Sequence, residues 1–170
     1  MNTASAYNGP MRTALVFLGF LLITFAAAGL GGLFTASGVR DWYPTLARPT
    51  WTPPAWLFGP VWTVLYISIA VAGFLAWRKV GFGAAKGTMT LFIVQLSLNA
   101  IWSGVFFGLR EPGWAFVVIV LLWLAIAATT IALLRVAVLS GLLFVPYLLW
   151  VTFASALNFA IWRLNPGVGG

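Results

Sequence analysis

The sequence has very few charged residues for its length. Only 6% of its 170 residues are Asp, Glu, Lys or Arg, 62% are hydrophobic, and the mean hydropathy is +1.04. A soluble domain carries about 25% charged residues, because its surface has to be hydrated. The composition therefore excludes an ordinary soluble domain and predicts an integral membrane protein with a single domain over residues 1–170.

Cys and His are absent altogether. Their absence excludes disulfides, thiolate metal sites, thiol or imidazole catalysis and imidazole ligation of haem. Asp41 and Glu111 are the only acidic side chains. We therefore expect no metal site, no acid–base chemistry and no obligatory cofactor.

The nine basic residues give a net charge of +7, but they stand in ones and twos between apolar runs. A protein that tracks nucleic-acid phosphates collects its basic residues on one face. Charges that flank apolar runs are typical of membrane-helix ends. We therefore expect the lipid bilayer, and no nucleic acid, as a partner.

The charged residues divide the chain into five uncharged intervals, each longer than the roughly 20 residues that cross a bilayer. They predict an all-α fold, a bundle of five transmembrane helices. The helices are expected at about 12–36, 57–78, 87–109, 113–135 and 140–163. The first interval also resembles a signal peptide, but its apolar run exceeds the usual length of about 7 to 15 residues, which favours a retained helix.

The connection between the first two helices, about 35–56, is the long one. It holds Trp42, Tyr43, Trp51 and Trp56 among several prolines. Proline fixes φ and removes a backbone donor, so the segment is stiffened while it presents large aromatic groups. We interpret it as a lid, although a loop lying in the headgroup layer explains the same pattern.

Polar residues inside two predicted helices are candidates for a site. Gln95, Asn99, Trp102 and Ser103 fall on one face of the third helix, and Asn158 lies on the fifth. Polar groups inside a membrane face protein or a cavity. Two interpretations remain open at this point, hydrogen bonding between helices and the lining of an interior pocket.

Tryptophan is abundant, with ten residues in the chain. Some are explained by the aromatic belt at the membrane surface, but Trp62 and Trp150 lie within helical stretches. Phe58, Trp62 and Tyr66 recur every four residues on the second helix. Aromatic walls with a few polar groups suit a flat polycyclic ligand. Aromatic packing without any ligand is the alternative.

Several ordered motifs match a known family. They include Asp41-Trp42-Tyr43, the run from Arg48 to Pro54, Gly59-Pro60-Val61-Trp62, Gln95 to Asn99 and Trp162-Arg163. In these motifs the chain resembles the translocator protein family, which comprises bacterial tryptophan-rich sensory proteins and the mitochondrial translocator. The likeness extends over almost the whole chain apart from the first dozen residues.

The resemblance implies a five-helix homodimer in the bacterial cell membrane, with a pocket closed by the first loop. The implied ligand is protoporphyrin IX or a related tetrapyrrole; mitochondrial members also bind sterol and drug-like ligands. Carried over by motif position, the ligand-binding residues are Trp42, Trp56, Trp62, Tyr66, Asn99, Trp102, Trp114, Trp150, Phe153, Ala154 and Leu157. Trp62 and Trp150 match tryptophans implicated in porphyrin photodegradation by bacterial relatives.

The chain departs from the family's pattern at the sterol motif proposed near the C-terminus, where Phe159 replaces the central Tyr. Haem would lack its usual axial ligands, so metal-free porphyrin fits better. Arg40 and Arg48 in the expected loop are hypothesised to meet the porphyrin propionates.

Three functions follow as hypotheses. The first is a sensor, carrier or regulator that binds tetrapyrroles. The second is an enzyme-like degradation of porphyrin driven by light and oxygen, with Trp62 and Trp150 as candidate catalytic residues. The third is a sterol- or lipid-binding membrane scaffold whose cavity is incidental.

Overall fold

The computed structural model describes residues 9–168, which form five long helices. They are α1 (Pro10–Asp41), α2 (Phe58–Ala84), α3 (Lys86–Ser103), α4 (Pro112–Val136) and α5 (Val138–Leu164). A π-helical turn, Gly104–Gly108, continues α3, and two 3-10 turns lie between α1 and α2. No strand occurs within residues 9–168. The predicted all-α fold is confirmed.

All five helical stretches are long and apolar enough to span a membrane. With their adjoining turns they measure 32, 30, 23, 25 and 27 residues, against the roughly 20 that a bilayer requires. A helix satisfies all its backbone hydrogen bonds internally, which is why it tolerates surroundings without water. The protein is an integral membrane protein with five spanning helices.

The helix ends follow from local chemistry. Pro10 and Pro112 occupy first helical positions, where the missing backbone N–H costs nothing. Near the end of α2, Gly81 has φ of 71°, a conformation that glycine adopts without strain. Ala137 is extended, with φ of −151° and ψ of 116°, and so separates α4 from α5.

The first helix is longer than predicted. It continues to Asp41, so the connection to α2 covers residues 42–57 rather than about 35–56. Within the extra turns the Thr35 hydroxyl donates to the Gly31 carbonyl at 2.8 Å, and no proline intervenes before Pro44. We call residues 42–57 the lid segment.

The helices enclose two continuous hydrophobic clusters. The larger runs through the bundle and includes Ile69, Phe92, Ile126 and Phe144, all essentially inaccessible. The smaller joins the lid segment to the ends of α3, α4 and α5. The second cluster is the packing that fixes the lid segment over one end of the bundle.

We predict that Gly38→Ala destabilises the protein. A Cβ at position 38 would lie 2.7 Å from the Cβ of Phe107 and 2.8 Å from its carbonyl oxygen, so α1 and the π-helical turn would have to separate. Overpacking of this kind costs about 1 to 3 kcal/mol. Thermal unfolding in detergent should show a lowered Tm.

Gly19→Ala is the matched control, since a Cβ there meets nothing within 4 Å. Ala is favoured over Gly in helices by up to about 1 kcal/mol, so this variant should keep or slightly raise the Tm. Equal Tm values for the two variants would contradict the close approach at Gly38.

Candidate ligand-binding cavity

A cavity of about 250 Å³ lies at the lid end of the bundle. It is bounded by the C-terminal half of α1, the start of α2, the π-helical turn after α3, and α5. Its aromatic lining consists of Tyr43, Phe58, Trp62, Tyr66, Trp102, Phe106, Phe107 and Trp150. Small residues complete the wall on the α1 side, among them Ala28, Gly31 and Gly32. The cavity is thus a mainly apolar chamber with aromatic walls.

Six of the predicted ligand-binding residues line this cavity. They are Trp62, Tyr66, Trp102, Trp150, Ala154 and Leu157. The four-residue recurrence on α2 places Phe58, Trp62 and Tyr66 together on the wall, as the amphipathic spacing indicated. The structure therefore brings the aromatic residues of α2 together with those of α3 and α5.

The other five predicted residues lie outside the cavity. Trp42 is buried edge-on against Phe106, with ring centroids 5.6 Å apart. Phe153 lies between Trp51 and Trp150. Trp56 and Trp114 are 71% and 68% exposed. Asn99 sits behind the wall, where it supports the lining residues.

Asn99 joins three helices through its amide. Its Oδ1 accepts from the Tyr66 hydroxyl at 2.8 Å, and its Nδ2 donates to the Tyr147 hydroxyl at 3.0 Å. The side chain is 1% exposed. Trp62 stacks on the ring of Tyr66 at 5.3 Å and 28°. The amide of Asn99 therefore sets the position of the α2 wall.

Asn158 makes a second junction nearer the lid. Its Oδ1 accepts from the Trp102 indole N–H at 3.0 Å, and its Nδ2 donates to the Pro112 carbonyl at 2.8 Å. Asn158 also lines the cavity. The two interpretations of the polar residues thus both apply, because one amide joins helices and borders the chamber.

Two buried polar atoms on lining residues have no hydrogen-bond partner within residues 9–168. They are the Trp150 indole nitrogen and the Tyr43 hydroxyl. An indole N–H donates only, and a phenol can donate. Both atoms are buried within the wall itself rather than exposed on its surface.

Sequence reasoning did not select Tyr43, Phe58, Phe106 and Phe107 as ligand-binding residues, although they line the cavity. Tyr43 and Phe58 were visible in the lid motif and in the α2 spacing. Phe106 and Phe107 lie in the π-helical turn, where the extra residue per turn shifts side chains off the α-helical face. Helical periodicity alone assigns no face to such a turn.

Asn165 attaches the lid segment to the end of α5. Its Oδ1 accepts from the Ala47 backbone N–H at 3.0 Å, and its Nδ2 donates to the Ala47 carbonyl at 2.9 Å. The Trp51 ring also contacts Phe153 of α5, with centroids 5.8 Å apart. These contacts hold the lid segment across the end of the bundle.

The two arginines assigned to the expected loop differ in position. Arg40 lies in the last turn of α1 and is exposed, so it is outside the lid segment. Arg48 belongs to the lid segment, and its guanidinium carbon lies 5.2 Å from the centroid of the Tyr43 ring. Burial raises the pKa of Tyr43, and the positive charge of Arg48 opposes that rise. The Tyr43 phenol therefore stays protonated at neutral pH.

Within residues 9–168 no group of three or more acidic, Cys or His side chains is available to hold a metal ion. The described polar atoms of the lining belong to amides, hydroxyls and indoles. Such groups bind an organic ligand by stacking and hydrogen bonds.

Comparison with known proteins agrees with this architecture. The sequence pattern of the TspO/MBR family matches residues 20–163. The chain belongs to the TspO/MBR family. Its relatives include the tryptophan-rich protein TspO of Chlorobaculum tepidum, 44% identical over 163 residues, covering 94% of this chain and 99% of that protein.

Two further relatives show the breadth of the TspO/MBR family. Protein CrtK of Rhodobacter capsulatus is 40% identical over 158 residues, covering 91% of this chain and 96% of CrtK. The human translocator protein is 38% identical over 155 residues, covering 90% and 92% of the two chains. The family membership expected from the motifs is confirmed.

We predict that Asn165→Ala loosens the lid segment. The variant loses both hydrogen bonds to Ala47, so hydrogen–deuterium exchange of peptides covering residues 42–57 should become faster. Exchange in the middle of α4 should stay unchanged.

Asn165→Asp provides the graded comparison. It keeps an oxygen that accepts from the Ala47 N–H but loses the amide donor, so its exchange should fall between those of the parent and Asn165→Ala. Parent-like exchange in Asn165→Ala would show that aromatic packing alone holds the lid segment.

Proposed function

We propose that this member of the TspO/MBR family binds tetrapyrroles, protoporphyrin IX or a relative, and acts in the bacterial cell membrane as a sensor, carrier or regulator. The observation that carries the proposal is the chamber at the lid end, whose walls hold three tryptophans, two tyrosines and three phenylalanines. Flat conjugated rings stack on such side chains.

The size of the cavity adds a condition to the proposal. Its 250 Å³ lies just below the range of about 300 to 1,000 Å³ typical of small-molecule sites. A tetrapyrrole is a large planar ligand, so the lid segment has to move outward to admit it. Two hydrogen bonds from Asn165 and the packing of the second hydrophobic cluster hold residues 42–57, so these are the contacts that an entering ligand would have to displace.

The names of relatives are compatible with this proposal without specifying a ligand. One relative, from Cereibacter sphaeroides, is called a tryptophan-rich sensory protein, and the human relative is called a translocator protein. Sterols and drug-like molecules are alternative occupants of an apolar chamber, and assembly as a homodimer remains part of the proposal.

The first test is a titration of the purified protein with protoporphyrin IX in the dark, followed by quenching of tryptophan fluorescence. We expect saturable quenching that is weakened by up to about tenfold in Trp150→Phe, which loses part of the stacking surface.

Trp114→Phe is the matched control, because it also removes one tryptophan but from a site 68% exposed and outside the cavity. Its affinity should equal that of the parent. Linear quenching that is the same in the parent and both variants would mean that porphyrin only partitions into detergent. That result would contradict tetrapyrrole binding and favour the scaffold interpretation.

Light-driven degradation of porphyrin is the second candidate function. Trp62 and Trp150 both line the cavity, so a porphyrin bound there would have two oxidisable indoles within its site. Excited porphyrin exchanges an electron with such a ring without needing a carboxylate or a metal.

We predict that illumination in air changes the porphyrin spectrum faster with the parent protein than with Trp62→Phe or Trp150→Phe at equal bound ligand. Trp114→Phe should degrade porphyrin at the parental rate. If free porphyrin in the same detergent disappears as fast as the bound form, degradation is no activity of the protein.

A further inference from the structure

The end of the bundle opposite the lid segment carries only positive side-chain charges within residues 9–168. Both acidic residues, Asp41 and Glu111, lie at the lid end. The opposite end, where α1, α3 and α5 begin and α2 and α4 end, is called the basic end. Its charged side chains are all exposed, and they are Arg12, Arg78, Lys79, Lys86 and Arg135. The basic end is therefore a strongly cationic surface that no acidic side chain of the described residues offsets.

Two of these cations lie against one aromatic stack. Phe74 and Trp77 of α2 have ring centroids 5.9 Å apart and an interplanar angle of 27°. The guanidinium carbon of Arg12 lies 5.9 Å from the centroid of the Trp77 ring. That of Arg78 lies 5.7 Å from the centroid of the Phe74 ring. The stack therefore brings a cation of α1 and a cation of α2 to the same part of the bundle.

The end of α2 is shaped to hold this aromatic stack. Gly81 interrupts the helix with φ of 71°, and Phe82 lies against the Trp77 ring at 5.9 Å and 45°. Phe82 also stacks on Phe20 of α1, with centroids 6.3 Å apart and an angle of 21°. Trp77 is only 5% exposed. Its ring is thus fixed by packing, and it offers the Arg12 guanidinium a rigid surface.

Guanidinium groups positioned in this way suit a phosphate group. A guanidinium presents its N–H donors as a planar fork that matches two phosphate oxygens, and it stacks on aromatic rings without losing that fork. A side chain already held against a ring also loses less conformational freedom when an anion binds. Arg12 and Arg78 lie near the ends of spanning helices, and the ends of such helices reach the lipid headgroups. Phospholipid phosphates are the anions at that depth.

An apolar track leads away from these cations along α1. Leu15, Leu18 and Leu22 are 61%, 51% and 72% exposed. Their spacing of i, i+3 and i+7 places them on one face of the helix, which begins three residues after Arg12. A ligand with a phosphate at the cations and a hydrocarbon chain on this track matches both features, whereas free phosphate matches only the first.

We propose that Arg12 and Arg78 form a binding site for the headgroup phosphate of an anionic phospholipid. One acyl chain of the lipid lies along the exposed leucines of α1, and Lys79 adds positive charge beside the headgroup. The preferred lipid is anionic because a zwitterionic headgroup carries its own cation, which the cations of the basic end repel. The site does not depend on tetrapyrrole binding, because the cavity lies at the other end of the bundle.

The test measures how phospholipids change the unfolding temperature of the detergent-solubilised protein. Phosphatidylglycerol should raise the Tm of the parent in a saturable way, because a ligand that binds only the folded state stabilises it. Phosphatidylcholine with the same acyl chains should raise it less at every concentration. In the double variant Arg12→Gln/Arg78→Gln, the phosphatidylglycerol concentration that gives half of the shift should rise about tenfold, because charge-assisted hydrogen bonds are lost.

The matched control is the double variant Arg40→Gln/Arg163→Gln. It removes the same charge from two exposed positions in the last turns of α1 and α5, at the lid end. Its half-shift concentration should stay within about twofold of the parent's. Each shift is measured from the Tm of the same variant without lipid, so a change in intrinsic stability does not imitate a loss of binding.

Three outcomes would overturn the proposal. Equal losses in the two double variants would show that phosphatidylglycerol responds to net charge and not to a site at Arg12 and Arg78. A shift that never saturates, or that Arg12→Gln/Arg78→Gln retains in full, would also exclude the site. Inorganic phosphate should leave the Tm unchanged, and a shift as large as that of phosphatidylglycerol would identify a site for soluble phosphate in place of a lipid.

Discussion

The amide of Asn99 has to find its hydrogen-bond partners inside the bundle, because the lipid around a spanning helix offers none. It finds them on Tyr66 of α2 and Tyr147 of α5. Hydrogen bonds between membrane helices contribute on average only about 0.6 kcal/mol each, so their main effect is on geometry. By fixing the distance between α2, α3 and α5, Asn99 determines where the cavity wall stands.

The same constraint made part of the site predictable. The polar face of α3 and the four-residue spacing of Phe58, Trp62 and Tyr66 predicted side chains that face the interior of the bundle. The structure places these side chains there. Trp114 shows what a motif match does not predict, because the match assigned it to the ligand site and its side chain is exposed. Its neighbour Ala115 is fully buried, and one residue further along a helix turns the side chain by about 100°. A motif fixes the position along the chain but not the direction of the side chain.

The start of the lid segment and its attachment to the bundle were the least predictable features, because both depend on contacts between residues far apart in the sequence. The polar residues after Phe34 resemble a loop, yet Gly38 allows α1 to pack closely on Phe107 and the helix persists to Asp41. This contact depends on a partner about 70 positions away in sequence, which no local pattern reveals. The attachment of Ala47 by Asn165 spans 118 positions and is equally invisible to helical periodicity.

The lid segment is held to the bundle by hydrophobic packing and by hydrogen bonds at the end of α5. Tyr43 belongs to this segment and lines the cavity, and Asn165 ties Ala47 of the same segment to the end of α5. Under the proposed function, a ligand that enters past residues 42–57 would therefore shift the wall of the cavity and the attachment to α5 together. A sensor needs that change to be read by a partner, whereas a carrier needs it to be reversible. Reversal would require the ring contacts of Trp42 and Tyr43 with Phe106 to re-form together with the two hydrogen bonds of Asn165, because both kinds of contact hold the segment in place.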